Sequence, residues 1–153
     1  MTNLLDYTWL REHTQLYLQD PVRAHDWDAT PVGGKGLVPT LLLTTTGRKS
    51  GESRPTPLLY QPCGTGFVIV ASRGGSDKHP AWFLNLQDNP ACSLQVGKFS
   101  YAGTARILST ADRAPYWEWM VRFWPDYANY QARTQREIPV VIIDAKPTVL
   151  DAI

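Results

Sequence analysis

The chain has 153 residues, of which 43% are hydrophobic and 19% charged, and its formal net charge is +1. This length suits one domain with one core, and the near-neutral charge excludes nucleic-acid binding through bulk electrostatics. Cys63 and Cys92 are the only cysteines, too few for a disulfide framework or a zinc site. We therefore expect two free thiols, no metal, and a cytoplasmic protein without a membrane-spanning segment.

The N-terminal region predicts one helix followed by a linker. Leu5, Trp9 and Leu16 recur at near-helical spacing, which favours an amphipathic helix over residues 2–19. Prolines and glycines interrupt residues 20–36 and indicate a flexible connection. We therefore divide the chain into 1–36, a peripheral helix and linker with possible weak membrane contact, and 37–153, a β domain.

The rest of the chain predicts strands with a few helices between them. Strands are expected at 38–46, 55–61, 67–72, 92–97, 99–108 and 138–144. Helices are expected at 79–88, with Pro80 in the first turn, from about 110, where Ser109 and Asp112 fit a capping box, and at 125–132. Six or so antiparallel strands with few helices predict a mainly β, α+β domain built as a small barrel.

A cationic loop joins the first two strands of this domain. Arg48, Lys49 and Arg54 stand against Glu52 alone in residues 44–54, which gives a local charge of 3 − 1 = +2. Flanking glycines allow backbone N–H groups to approach an anion, and arginine can bind phosphate or carboxylate through two hydrogen bonds. The loop is therefore either an anion site or a plain solvated hairpin turn.

A second glycine-containing turn lies between a buried strand and a helix. It contains Arg73, Gly74, Gly75 and Lys78, and a helix N-terminus that follows such a turn favours an anion. Trp82 is then either the wall of a ring-binding pocket or part of the core. For His79 we expect a surface or capping role instead of a catalytic one.

An aromatic stripe occurs near the C-terminal end of the chain. Trp124, Tyr127 and Tyr130 are spaced three residues apart and share one helix face. The stripe suits either a core or a pocket lid, because tyrosine hydroxyls usually remain wet or hydrogen-bonded.

These segments together resemble a known family. The runs LLLTTTGRKSGESRPTPLLY, VIVASRGGSDKHPAWFLNLQDNP and FWPDYANYQARTQREIPVVI are similar, in order and spacing, to the deazaflavin-dependent nitroreductases over residues 38–144. The resemblance implies a split β-barrel that binds coenzyme F(420), an 8-hydroxy-5-deazaflavin with an anionic phospholactyl-oligoglutamate tail.

The resemblance also implies roles for individual residues. The residues expected to hold the phosphate and glutamate tail are Arg48, Lys49 and Arg54. Those expected along the ring and its linker are Pro57, Ser72, Arg73, Gly74, Gly75 and Lys78, with Ala81 and Trp82 packed against the ring. Those expected on the substrate side are Trp124, Tyr127 and Tyr130, and the two tyrosines are the candidate catalytic residues.

The implied activity is two-electron hydride transfer to an electron-poor small molecule such as a quinone, enone or nitroaromatic. Trp124 and Leu59 stand where the family's nitroimidazole-reducing member has tyrosines, which implies a narrower, drier pocket. Two alternatives stay open: a flavin mononucleotide reductase on the same barrel, and a non-catalytic carrier of deazaflavin, haem or fatty acid. We expect a monomer or weak dimer.

Overall fold

Antiparallel strands form the framework, and the computed structural model describes residues 8–30, 34 and 36–147. The helices in this part of the chain are α1 (Thr8–Gln19), α2 (Pro21–His25), α3 (Ala81–Asp88), α4 (Thr110–Phe123) and α5 (Asp126–Ala132). The strands are β1 (Asp26–Asp28), β2 (Leu37–Thr46), β3 (Ser53–Leu59), β4 (Gln61–Cys63), β5 (Gly66–Val70), β6 (Ala91–Val96), β7 (Phe99–Ile107) and β8 (Val140–Pro147). A 3-10 turn spans Arg73–Gly75.

The strands pair in the order β1-β2-β6-β7-β8-β5-β4, and β3 pairs separately with β2. The sheet curls so that β3 approaches β5, yet within the described residues no backbone ladder joins these two strands. Pro55 and Pro57 lack N–H groups, which suits a strand with one open edge. The predicted antiparallel split barrel is thus confirmed, and its split runs beside β3.

On β2, β5 and β8 both faces of the sheet are covered, and alternate residues of each strand point to opposite sides. On β2, Leu41 and Leu43 pack inside the barrel with Trp82, whereas Leu42 packs outside against Tyr17 and Ala24. On β5 and β8 the outward residues are covered by α4, α5 and the segment that follows them. The helices are therefore fixed to the barrel by continuous apolar contacts, which places α5 beside the split.

The helix boundaries near the split follow from local sequence. Ser109 accepts a hydrogen bond from the Asp112 backbone N–H at 3.1 Å, so the predicted cap of α4 is confirmed. The predicted helix over 79–88 begins instead at Ala81, because Pro80 is extended, with ψ 150°. The predicted start of α5 at Pro125 is also one residue early, since Pro125 precedes the helix.

The prediction of a flexible linker over residues 20–36 was wrong for residues 21–28. The Asp20 carboxylate accepts a hydrogen bond from the Arg23 N–H at 3.2 Å, and Pro21 occupies the first turn of α2. Strand β1 then pairs with the start of β2. The predicted strand 55–61 is likewise divided at Tyr60, and its last residue, Gln61, begins β4, which pairs with β5. The described residues form eight strands instead of the six predicted. The two additional strands, β1 and β4, have three residues each.

The prediction that the N-terminal helix is peripheral was also wrong for its described part, α1. Tyr17 is fully buried, and its hydroxyl donates to the Thr40 carbonyl oxygen at 2.7 Å and accepts from the Gly97 N–H at 3.1 Å. His13 Nε2 lies 2.9 Å from the Ala24 carbonyl oxygen. Residues 2–7 of the predicted helix lie outside the described residues. Among the described helices, none has the length and apolarity needed to cross a membrane.

Acidification is expected to destabilise the fold through His13. Burial lowers the pKa of this imidazole below its usual 6.5, so the folded state favours the neutral form. The unfolded chain therefore binds more protons as the pH falls below about 6.5, and the free energy of unfolding decreases there. We expect the His13→Gln variant to have a flatter profile of urea-unfolding free energy between pH 7 and 5. An equally steep profile in the variant would show that the pH dependence of the unfolding free energy comes from groups other than His13.

Candidate functional site

A cavity of about 780 Å³ opens at the split in the barrel. It is bounded by β3, the end of β5, the 3-10 turn, the start of α3, α5 and α1. A second cleft of about 440 Å³ lies beside the loop between β2 and β3. Arg48, Thr56, Ala81 and Trp82 line both spaces, so the cavity and the cleft adjoin one another.

The cleft is lined by cations held in defined positions. Asn85 is buried and accepts from the Arg48 backbone N–H at 3.2 Å and from its guanidinium Nη1 at 2.9 Å. The Asn85 amide donates to Thr45 Oγ1 at 3.1 Å, which fixes its orientation. Lys49 and Arg54 also line the cleft and are exposed. The loop predicted from its charge thus lines a concave surface, and Asn85, which the sequence analysis missed, orients Arg48 there.

The 3-10 turn is the most strained part of the cavity wall. Arg73 has φ 44°, the one positive value found for a non-glycine residue in the described chain, and Gly74 follows at φ 62°. Such left-handed residues are costly outside glycine, by about 1–2 kcal/mol, and they direct backbone N–H groups into a concave surface. Gly75 does not line the cavity; a Cβ there would lie 2.7 Å from the Tyr130 carbonyl oxygen. It allows the turn to pack closely against α5.

Trp82 belongs both to the core of the barrel and to the wall of the cavity. It is 6% exposed and belongs to the core cluster inside the barrel, and its ring also lines the cavity and the cleft. Ala81, at the start of α3, lines the same two spaces and leaves room beside the indole.

The three predicted aromatic residues all line the cavity, but the prediction that they share one helix face was wrong for Trp124, which ends α4, whereas the two tyrosines lie on α5. Tyr130 has a hydrogen bond with the Trp124 side chain, in which the indole N–H is the donor, and its ring lies under Arg133. The Tyr127 hydroxyl has no hydrogen-bond partner in the described part of the chain. Burial, assisted by neighbouring Tyr130, raises the pKa of Tyr127, so its phenol stays protonated.

The part of the cavity wall formed by α1 and β1 includes residues that the sequence analysis did not identify as site residues. Trp9 stacks on Trp27 with ring centroids 5.3 Å apart, and Trp27 stacks on His13 at 5.5 Å. All three line the cavity. The Trp9 indole N–H is buried and has no protein partner among the described residues. The helical spacing of α1 did not show which of its faces meets the barrel, and Trp27 lies in β1, within residues predicted to be a linker.

The structure brings nearly all of the predicted site residues together. Those on the cavity wall are Pro57, Ser72, Arg73, Gly74, Lys78, Trp124, Tyr127 and Tyr130. Arg48, Ala81 and Trp82 lie at the junction, Lys49 and Arg54 lie in the cleft, and Gly75 supports the turn from behind. In the described ranges no three His, Cys, Asp or Glu side chains are grouped so as to hold a metal ion.

A family model described as F(420)H(2)-dependent quinone reductase matches residues 9–145. The chain belongs to this family. A Mycobacterium tuberculosis protein described as an F(420)H(2)-dependent quinone reductase is 36% identical over 144 residues, covering 88% of this chain and 95% of the relative. The resemblance inferred from the motifs is thereby confirmed.

Solved structures agree with this family assignment. One, described as an F(420)-H2 dependent reductase, is 42% identical, with TM-score 0.63 and coverage of 68% of this chain and 92% of that one. Another, described as a domain-swapped dimer, is 38% identical, with TM-score 0.65 and coverage of 88% and 96%. A haem storage protein of Vibrio cholerae shares only the fold, at 13% identity and TM-score 0.52. The family implies coenzyme F(420) as cofactor, and the flavin mononucleotide alternative has no support.

Proposed function

We propose that the cavity of this family member binds reduced coenzyme F(420) beside a small electron-poor acceptor of the quinone class and promotes hydride transfer between them. The observation that carries the proposal is the continuity of a ring-sized cavity with a cationic cleft. A cavity of about 780 Å³ lies within the range of cofactor and drug-sized sites.

The residues present fit the chemistry of this cofactor. A flat ring needs apolar walls, which Trp82 and Pro57 provide, with space left open by Ala81. An anionic tail needs cations that remain accessible, which Lys49 and Arg54 are in the adjoining cleft. Arg48 stands at the junction of the two spaces and is suited to the phosphate between ring and tail.

When bound, the reduced deazaflavin supplies a hydride, and the acceptor takes up that hydride together with a proton. The protein holds the two partners in one water-poor cavity, which favours a productive arrangement. The Tyr127 hydroxyl, protonated and without a partner among the described residues, is placed to donate a hydrogen bond to an acceptor oxygen as negative charge develops there. Tyr130 shapes the wall, because Trp124 already engages its hydroxyl.

The aromatic wall of α1 and β1 is proposed to hold the electron acceptor. Trp9 and Trp27 form a stacked apolar surface on the side of the cavity that α3 and the cationic cleft do not occupy. A quinone ring is planar and carries carbonyl oxygens that can accept hydrogen bonds. The Trp9 indole N–H, which has no partner in the part of the chain that the structure describes, is a donor of the kind that such an oxygen needs.

The donor is the first thing to test. We expect stopped-flow mixing with menadione to oxidise reduced F(420) rapidly, and neither NADPH nor reduced flavin mononucleotide at a comparable rate. The chain has no Gly-x-Gly-x-x-Gly dinucleotide fingerprint, and the cleft suits a long anionic tail. Equal or faster turnover with NADPH would disprove the proposal, and tight F(420) binding without turnover would favour a carrier.

Removal of cleft cations is expected to weaken cofactor binding. Lys49→Ala and Arg54→Ala each delete a charge that can pair with the tail, and a charge-assisted hydrogen bond contributes roughly 1.5 kcal/mol or more, or about tenfold in affinity. Salt screens exposed charges, so the difference should shrink between 50 and 500 mM salt. Lys98→Ala is the control, since Lys98 is exposed but lies in the β6–β7 turn outside the cleft. If fluorescence titration gives unchanged F(420) affinities for both cleft variants, Lys49 and Arg54 do not bind the cofactor and are only residues of a turn.

Weak membrane contact, where quinones reside, is proposed for the surface formed by Leu18, Val22 and Leu37, which are 58%, 61% and 68% exposed. Nearby charges are mixed in sign, so binding should be weak even to anionic lipid. Co-sedimentation with anionic liposomes, comparing the chain with a Leu18→Ser/Val22→Ser/Leu37→Ser variant, tests this. Equal sedimentation of both proteins would contradict it.

We propose that the chain works as a monomer or weak dimer, because residues of one chain form both walls of the cavity and the cleft. Light scattering coupled to size exclusion over a hundredfold range of concentration measures this. A dimer that persists at the lowest concentration would contradict the proposal.

A further inference from the structure

Arg136 braces the cavity wall from behind. Its guanidinium donates to the carbonyl oxygens of Ser76 at 2.7 Å, Ser72 at 2.8 Å and Ala71 at 3.2 Å. These carbonyls span the end of β5, the 3-10 turn and the loop that follows it. The same Nη1 lies 3.2 Å from His79 Nδ1. One side chain therefore fixes both the path of this segment and the imidazole at its end.

The contact with Arg136 determines where His79 carries its proton. A guanidinium has only donor groups, so the Nδ1 atom that faces it must be the acceptor. A neutral imidazole with an unprotonated Nδ1 carries its proton on Nε2. Burial, together with the positive charge of Arg136, lowers the pKa of His79 and favours this neutral form.

The remaining donor of His79 is available to a ligand. His79 lines the cavity and is partly exposed, and within the described chain its Nε2 has no hydrogen-bond partner. The ring packs against Phe83, with centroids 4.7 Å apart, which limits its rotation. Its position, tautomer and orientation are thus all set before any ligand arrives.

We propose that Arg136 is a positioning residue that holds His79 as its Nε2–H tautomer, so that this imidazole donates a hydrogen bond to an oxygen or nitrogen of the deazaflavin ring. The inference rests on the proposed function, since it assumes that the cavity binds this cofactor. The electron acceptor also has oxygens, but His79 lies between Lys78 and Ala81, on the wall that continues into the cationic cleft. That placement favours the cofactor over the acceptor.

The tautomer can be measured in the protein without ligand. Long-range ¹⁵N–¹H correlation spectra should show a protonated Nε2 and an unprotonated Nδ1 for His79. In Arg136→Met this preference should be lost and mixed tautomers should appear, while the signals of distant His25 stay unchanged. A protonated Nδ1 in the parent chain would overturn the proposal, as would an unaltered tautomer in a folded Arg136→Met variant.

Cofactor titrations test the hydrogen bond itself, with folding monitored in parallel. His79→Phe keeps an aromatic ring against Phe83 but removes the donor, and it should raise the dissociation constant of oxidised F(420) about three- to tenfold, as expected for one neutral hydrogen bond. His79→Gln places an amide N–H near the former Nε2 and should bind within about twofold of the parent. A packing role alone would predict the reverse ranking, because phenylalanine resembles the imidazole ring more closely than glutamine does.

The outcomes also separate this inference from the proposed function. If the parent chain fails to bind F(420), the proposed function fails, whereas the tautomer measurement still tests the role of Arg136. If the parent binds but His79→Phe binds equally well, the hydrogen bond to the cofactor is disproved. If His79→Phe instead raises only the KM for menadione, the donor serves the acceptor and the assignment to the deazaflavin is wrong.

Discussion

Gly75→Ala is expected to destabilise the protein by about 2–5 kcal/mol and to impair cofactor binding in whatever remains folded. Gly75 has φ 86°, a conformation that costs an alanine roughly 1–2 kcal/mol. Its new Cβ would lie 2.7 Å from the carbonyl oxygen and 2.9 Å from the Cα of Tyr130. Both contacts are with backbone, so α5 must shift, at a further cost of about 1–3 kcal/mol.

Gly64→Ala is the matched control for this substitution. Gly64 also has a positive φ, 58°, in the β4–β5 turn, but nothing lies within 4 Å of a Cβ built there. It should therefore show only the backbone cost, about 1–2 kcal/mol. Urea unfolding followed by tryptophan fluorescence measures both. Equal losses in the two variants would show that the contact with Tyr130 has no energetic consequence and that α5 is loosely held.

Tyr127→Phe is expected to lower kcat with menadione by about a hundredfold while the affinity for F(420) stays within twofold. Loss of one donor to developing negative charge typically reduces kcat by 10²–10³. Since the pKa of Tyr127 is raised, the phenol is protonated throughout the neutral range, and kcat should show no ionisation of this group below pH 9. Single-turnover kinetics separate this effect from product release.

Tyr130→Phe is the comparison, because it deletes a hydroxyl that already has a partner. The change removes the hydrogen bond with Trp124 and should mainly raise the KM of the acceptor, with kcat changed less than tenfold. If Tyr127→Phe keeps full kcat with both quinone and enone acceptors, its hydroxyl has no role in the chemical step. The proton donor would then be water or another group, and Tyr127 would be a packing residue.

Local signals in the sequence predict the cofactor side of the cavity well. The cationic loop, the paired glycines and the start of α3 are each determined by residues close to one another along the chain. The sequence predicts the split barrel because three such motifs occur in the same order as in one known family. The hairpin around Gly97 joins two predicted strands, whereas the hairpin around Gly64 pairs β5 with β4, which was not predicted.

Tertiary contacts account for the features that were missed. Strand β1 has three residues and exists because the longer β2 offers it a partner, which no local pattern reveals. The rings of Trp9, in α1, and Trp27, in β1, stack only once the chain has folded. The Arg136 side chain donates to carbonyl oxygens some 60 residues earlier in the sequence. These side chains line or support the cavity wall although they lie far from its other residues in the sequence. The burial and contacts that give them a role exist only in the folded protein.

Two parts of the cavity wall are encoded in separate stretches of the chain. Residues 48–82 supply the cleft, the strained turn and the start of α3, whereas Trp9, His13 and Trp27 come from before the first long strand. Changes in one stretch can therefore alter its ligand without altering the other. A chimaera that carries a relative's N-terminal segment on this barrel should keep its electron donor and acquire that relative's range of electron acceptors, so a single redox scaffold can diversify by exchanging fewer than thirty residues.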